Sequence, residues 1–413
     1  MAAIRILKLM RREIGLLTSD WRLTVIVLVM PFVYTLMIGY LYLPKRVTDI
    51  PTFVLDQDRS PMSRAVIQAA ERNDSFKITR YVESEEEFME AVRAGEAFAL
   101  LWFPPRFQES ARGGAPARMV ALIDGSNLLL SNTLYKGVTT IGTTFSLGIQ
   151  IKKMNARGAP MDHAREGVTP VDAGARVLFN PGFSYSDFVL PGLAGAVVQQ
   201  ICLLGVALAF ARERAHNLLP QALAITHSPL EFLAAKGLFY TGLNLATALG
   251  SFALLFRMFG VPVQGSIWAF GALLSMFIIA IVALGILASA ALRDELFATE
   301  ALMLVSLPSF LLSGFTWPQF AMVKGILILS QILPLTHFLM PLRSVLTQGA
   351  GLGAIRGELY WLWGLASGSY VLAYFVIRHY MRRAWSVVLA ERRQDDSGSA
   401  GAAVSLPAGA PAK

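Results

Sequence analysis

Charge is scarce in this chain of 413 residues. Asp, Glu, Lys and Arg make up 15% of it, against roughly 25% in a soluble globular domain. Hydrophobic residues account for 54%. They gather in runs of about 20, the length that crosses a hydrocarbon core, which excludes a wholly soluble protein. Cysteine is almost missing. The single Cys202 lies in an apolar run, so no intrachain disulfide forms and no Cys/His set has zinc spacing. There is no G-x-x-x-x-G-K-[ST] loop, which excludes P-loop ATP hydrolysis by this chain. The predicted span interiors hold almost no ionisable side chains. His337 is the main exception, with Arg343 and Glu358 near span ends. Ion-driven transporters need carboxylates, His or broken-helix ion sites at mid-membrane, and membrane enzymes need clustered acids, bases or metal ligands. The sequence offers neither. The net charge of +8 sits at the ends of apolar runs, so it reads as positive-inside topology and not as a nucleic-acid surface.

What is present has a clear order. Residues 1–22 carry Arg5, Lys8, Arg11, Arg12 and Arg22, with Ile4, Leu7, Met10, Ile14 and Leu17 at about helical spacing. They predict either an amphipathic basic helix on a membrane surface or a set of charges that only fixes topology. Residues 23–43 predict the first span, an uncleaved signal anchor kinked at Pro31. Residues 44–186 change character, with short strands alternating with helices: PTFVLD, FKITRYV, EAFALLWF and ARMVALID against SRAVIQAAER, SEEEFMEAVRAG and PPRFQESARGG. That pattern predicts an extracytoplasmic α/β domain with a small, partly parallel sheet, followed by a long connecting helix. Asp56, Asp58 and Ser60 mimic the start of a calcium loop, but Pro61 and Ile67 replace its Gly and Glu, so a turn and helix cap is expected. Residues 187–380 predict the remaining spans, with a broken stretch at 318–346 that dips in and returns. The fold class expected is an α-helical membrane protein of six spans with re-entrant half-helices and an inserted α/β domain. Both termini are then cytoplasmic, and the tail 381–413 ends in a disordered Gly/Ala/Ser/Pro-rich segment.

With no motor of its own, the chain needs a handle for one. ARERAHNLLPQALAIT, residues 211–226, lies between two apolar runs and is charged at its start, proline-bearing in its middle and apolar at its end. Asn217 is positioned to cap a short helix with Pro220 in its first turn. Leu218, Leu219, Leu223 and Ile225 would be its apolar anchors. The competing reading is an interfacial helix with no partner.

At this point the residues resemble those of a known family. LPSFLLSGFTWP (307–318) with ILPLTHFLMPLRSVLTQGAG (332–351), VLDQDRSPMSRAVIQA (54–69) and FNPGFSYSDFVLPGL (179–193) are similar to membrane subunits of ABC-2 type ABC transporters. The resemblance covers most of the chain. It implies six transmembrane helices per subunit, paired re-entrant half-helices before the last, and a two-subunit membrane unit. It also implies two ABC ATP-binding subunits on the cytoplasmic face, which hold the ATP and Mg; no cofactor is expected in this chain. Residues 212–231 resemble the family's coupling element, R-E-R-x-x-G-T-x-E-x-L-x-x-T-P. Arg212, Glu213 and Arg214 match, and Gln221 and Leu223 fall in register. Asn217, Leu218, Pro220 and Ile225-Thr226 depart from it, which suggests the atypical half of a heterodimer.

The expected function follows: a permease subunit, not an enzyme, of an ATP-driven exporter in a bacterial inner membrane, moving an amphipathic or lipophilic substrate. Its partners would be the ATPase, a second permease, membrane lipid and a periplasmic adaptor. Residues 212–214, 217–219, 221 and 223 form the expected coupling site. Asp187, Gln199, Gln200, Gly314, Phe315, Trp317 and His337 are candidates for the path or gate, each with a plainer alternative. Asp187 could snorkel at the interface, the two glutamines could bond between helices, Trp317 could belong to an interface belt, and His337 could be packed or hydrogen-bonded in the re-entrant turn. The alternative function is a membrane-anchored extracytoplasmic sensor, which predicts a cytoplasmic output domain.

Overall fold

A computed structural model describes residues 1–113, 117–156, 178–182, 184–216, 218–292 and 295–403. Two compact units emerge. One joins Met1–Leu43 to Phe179–Lys413, and the other is Pro44–Leu178.

The second unit is a mixed four-stranded sheet. Its strands are β1 (Ile50–Asp56), β2 (Phe76–Tyr81), β3 (Ala99–Phe103) and β4 (Val120–Ile123), in the order β2-β1-β3-β4. β1 runs parallel to β2 and β3, and β4 is antiparallel to β3. Alternation along β1 feeds two cores. Ile50 and Val54 face the side closed by α4 (Pro61–Glu71), α6 (Phe107–Gly113) and α7 (Leu128–Ala156), while Phe53 and Leu55 face α5 (Glu85–Arg93) with Phe88. That two-sided covering suits the parallel strands. The Asp56 carboxylate accepts from the Asp58 and Arg59 amides and the Ser63 hydroxyl, and Ser60 and Ser63 form a capping box on α4. Turn and cap chemistry therefore occupies the calcium-like stretch.

The first unit is helical. α1 (Ala2–Thr18) precedes α2 (Trp21–Leu28) and α3 (Met30–Leu41), which meet at a 43° bend beside Pro31. Pro31 has no amide hydrogen to continue the helical ladder, so the break falls there. Next come α8 (Tyr185–Ala215), the short α9 (Leu219–Leu223), α10 (Pro229–Met258), α11 (Ile267–Ala291) and α12 (Glu295–Leu312). The last are α13 (Lys324–Gln331), α14 (Thr336–Gln348) and α15 (Leu352–Ala403). Among the described residues, four helices hold stretches long and apolar enough to cross a membrane: Tyr185–Ala207, Pro229–Met258, Ile267–Ala291 and Leu352–Ser386. Phe297–Leu312 is a shorter apolar helix, and α13 and α14 meet at 84°. α11 is the centre of the core, with Phe277 stacked 3.9 Å from Phe338 of α14.

One expectation needs correction. Residues 391–403 were expected to be disordered, but α15 carries helical backbone to Ala403. Ala, Glu, Arg and Gln favour helix there, and the first proline is Pro407. Residues 404–413 lie outside the described residues. In α1 the stripe Ile4, Leu7 and Ile14 points outward, and the buried residues are Leu9, Glu13 and Leu17. The outward stripe suits a lipid surface. The inward one, spaced i, i+4 and i+8, packs α1 on the bundle.

Candidate functional site

The stretch between α8 and α10 is pinned at its base by buried charge. Glu213 is fully buried in the last turn of α8. Its Oε1 accepts from Arg12 of α1, and its Oε2 lies 3.3 Å from Lys236 Nζ of α10. Lys236 donates to Glu13 at 2.8 Å, and the Tyr240 hydroxyl donates to the other Glu13 oxygen at 3.4 Å. Arg12 reaches on to the Leu218 carbonyl at 2.9 Å, just ahead of α9. Two acids and two bases therefore close a neutral cluster drawn from three helices, the condition under which buried ions are tolerated.

A second staple lies beside it. Arg5 of α1 holds Glu231 with two hydrogen bonds of 2.7 and 2.5 Å. The Thr226 hydroxyl donates to the same carboxylate at 2.6 Å, and Ser228 caps α10 through the Glu231 amide. Bidentate Arg–carboxylate geometry fixes direction as well as distance. α1 thus grips both limbs of the hairpin. Neither Lys236 nor Glu13 carries a local sequence sign of this pairing. Clustered ionisable residues, which the sequence appeared to lack, are formed by segments about 200 residues apart.

α9 itself turns its leucines inward. Leu219, Ala222 and Leu223 are buried in the bundle core, so these leucines are not the surface a partner would meet. The helix cap position is Leu218, without a side-chain cap bond. Asn217, expected in that role, lies outside the described residues, as do the side chains of Arg212 and Arg214. The exposed face consists of His216, Pro220, Gln221, Ala224, His227 and Leu230. The His227 ring lies 4.1 Å from that of Trp385 of α15, the planes tilted by 50°.

The path candidates fall in three places. Gln199 is buried and donates to Ser309 at 2.7 Å, so it bonds α8 to α12, while Gln200 is half-buried. Asp187 is half-buried in the first turn of α8, its amide held by the Ser184 hydroxyl at 3.2 Å. Gly314 has φ +85° and Phe315 is buried, but Trp317 is exposed, so these neighbours do not share one surface. Phe315 stacks on Phe188 at 5.3 Å, and the Arg343 guanidinium lies 4.3 and 4.8 Å from the two rings. Gly192 allows this packing, since a Cβ there would fall 2.2 Å from the Phe315 ring. His337 is buried against Glu358 and the Gln331 carbonyl. Among the described residues no group of three or more His, Cys, Asp or Glu is arranged to hold a metal ion.

Burial of Glu13 raises its pKa above the ordinary carboxylate value, and Lys236 opposes that shift only in part. A carboxyl whose native pKa is raised favours folding below its unfolded pKa, and that contribution is lost as pH rises through the native value. At neutral pH the Glu13 charge is therefore a cost to the fold. Glu13→Gln is expected to change stability by no more than about 1 kcal/mol at pH 7, and to flatten the fall in stability above the ordinary carboxylate range. Melting curves of the two proteins from acid to neutral pH check this; a loss of several kcal/mol in the variant would sink it.

A helical bundle, one inserted α/β unit, a right-angled helix pair and a charge-pinned hairpin define a multi-pass α-helical membrane protein. A sequence profile described as "ABC-2 family transporter protein" matches residues 21–375, and the chain belongs to that family. It is 25% identical over 269 residues to the Escherichia coli K12 protein named "Probable multidrug ABC transporter permease YbhS", covering 65% of this chain and 69% of that one. It is 24% identical over 330 residues to "Inner membrane transport permease YhhJ" of the same strain, covering 78% and 83%. Over 376 residues it is 22% identical to "Probable multidrug ABC transporter permease YbhR", also from that strain, covering 91% and 98%. The chain is a membrane transporter subunit.

Proposed function

We propose that this subunit forms the membrane part of an ATP-driven exporter in a bacterial inner membrane, moving amphipathic or lipophilic molecules outward. ATP and Mg bind a separate ATP-binding subunit that docks on the hairpin 212–231. The permease pairs with a second, identical or homologous permease chain. Both termini and the hairpin face the cytoplasm, and the Pro44–Leu178 unit faces the other side, where it can meet an adaptor. α2 with α3, α8, α10, α11, α12 and α15 are the six crossings, and α13 with α14 form the re-entrant pair. The apolar part of α12, 16 residues long, spans about 24 Å at 1.5 Å per residue, so the bilayer thins slightly around it.

The observation that carries this reading is the split character of the hairpin. Its inner face is fixed to α1, α8 and α10 by buried ions, and its outer face is left uncovered. A lever needs both. A push on α9 has no soft joint at its base and so moves α1, α8 and α10 together. Glu213 keeps the expected place in the coupling motif but serves the rigid inner side. The leucines and the acid set the joint, and the exposed residues set the docking face.

The test is reconstitution with an ABC ATP-binding subunit that co-purifies with this chain. In proteoliposomes the pair is expected to hydrolyse ATP and move an amphipathic dye, while the permease alone does neither. A cysteine at position 221, in a Cys202→Ser background, should react with an impermeant maleimide only from the cytoplasmic side. Labelling from the opposite side, or dye movement by the permease alone on an ion gradient, would overturn the reading.

A further inference from the structure

His337 opens α14 at the 84° turn of the re-entrant pair and is 1% exposed. Three groups from two other helices meet its ring. Nε2 lies 2.8 Å from the carbonyl oxygen of Gln331, the last residue of α13. Nδ1 lies 2.5 Å from Oε2 of Glu358 in the second turn of α15. The ring face stacks on Trp361 of α15, centroids 5.3 Å apart and planes 11° from parallel.

The hydrogen count of this arrangement is constrained. A carbonyl only accepts, so Nε2 carries a hydrogen. In a neutral imidazole that leaves Nδ1 as a lone pair, and it faces a carboxylate oxygen at 2.5 Å. Two acceptors at that distance repel. The contact becomes a bond only when one proton lies between them, on Nδ1 as imidazolium with carboxylate, or on Oε2 as carboxylic acid with neutral imidazole. Either form holds one proton more than separated His and Glu side chains do above the ordinary imidazole value of about 6.5.

We propose that His337 and Glu358 form a proton-binding site that latches the re-entrant turn to the last helix. Proton uptake closes the latch, and proton loss opens it, because the closed state binds the extra proton. The imidazole is buried, while the Glu358 side chain is 41% exposed, so the proton enters through the carboxyl. The elements around α14 bring few other charges. α11 has no ionisable residue; near this end α8 has Asp187, α13 has Lys324 and the start of α15 has Arg356 besides Glu358, while the acids of α12, Glu295 and Glu300, lie in its first two turns. Arg343 of α14 itself is turned to the Phe315 carbonyl at 2.6 Å. Among the described residues, Glu358 alone lies within ion-pair distance of the ring. The site stands on these contacts and does not depend on the ATP-driven reading. On the orientation proposed above it sits at the outer end, so the outer pH sets the latch.

The experiment follows deuterium exchange of the amides of residues 331–340 in the full-length protein in lipid nanodiscs. Rates are corrected for intrinsic exchange across roughly pH 5 to 9, the interval around the imidazole value. Protection in the wild type is expected to fall at least about tenfold as pH rises, the scale of one charge-assisted hydrogen bond. In Glu358→Gln the amide nitrogen donates to Nδ1 of a neutral ring, so no extra proton is needed and protection stays high and flat. His337→Gln removes the titrating ring and is also flat; should it fail to fold, Glu358→Gln decides alone. Amides of the α11 core serve as the pH-independent reference. A flat wild-type profile, or a Glu358→Gln profile that keeps the wild-type slope, overturns the proposal.

Discussion

Glu213→Ala is expected to destabilise the permease by about 3–5 kcal/mol, the cost of removing one partner from a buried ion pair. The reason is the charge left behind. Arg12 and Lys236 are left to share Glu13, at 3.6 and 2.8 Å, whose own ionisation is opposed by burial. Arg12 also holds the Leu218 carbonyl, so a guanidinium that swings out to water releases the start of α9. Removing Glu213 and Lys236 together should cost less than the sum of the single losses, because an apolar pair of similar volume leaves no orphan charge in place of the ion pair. The check is thermal unfolding in detergent for Glu213→Ala, Lys236→Met and Glu213→Leu/Lys236→Met. A single-variant loss below about 1 kcal/mol, the range of exposed pairs, would mean that the cluster is hydrated and the hairpin is not pinned.

The sequence carried the spans and the α/β insertion because each depends on local pattern. Apolar runs of fixed length and strands alternating with capped helices need no knowledge of distant residues. Ser60-Pro61 announces the start of α4, and Pro31 announces the bend, for the same reason. The charge cluster could not be read that way. Glu13 looks like one acid on a basic amphipathic helix, and Lys236 looks like a positive-inside charge. Only the folded chain brings them within 2.8 Å of each other, from positions 223 residues apart. One signal was available: Glu13 falls four residues from Leu9 and four from Leu17, on the buried stripe and not on the solvated one. The hairpin leucines were misread in direction for a related reason. A five-residue helix is too short for its periodicity to say which face meets the protein's own core. His337 and Glu358 meet only through the bend between two helices, and nothing local joins the two.

Ala224→Arg is expected to abolish ATP-driven transport while leaving the melting temperature unchanged. Ala224 closes α9 and is exposed, on the same face as Pro220 and Gln221 and opposite Leu223. A larger charged side chain there meets only solvent in the free permease, so its effect on folding stays within about 0.5 kcal/mol. Against a docked partner it would sit in the middle of the contact, where an unmatched charge weakens binding by several kcal/mol. Each 1.4 kcal/mol is about tenfold in affinity, so loss of the ATP-binding subunit from the purified complex should be nearly complete. Leu219→Ala serves as the opposite control. It empties a buried site in the bundle and should lower stability by about 2–5 kcal/mol, with the docking residues untouched. The pair separates the two faces of one short helix: one variant loses its partner and keeps its fold, and the other loses fold stability with its docking surface intact. If Ala224→Arg bound the ATP-binding subunit as tightly as the wild type, the exposed face of α9 would not be where the motor pushes.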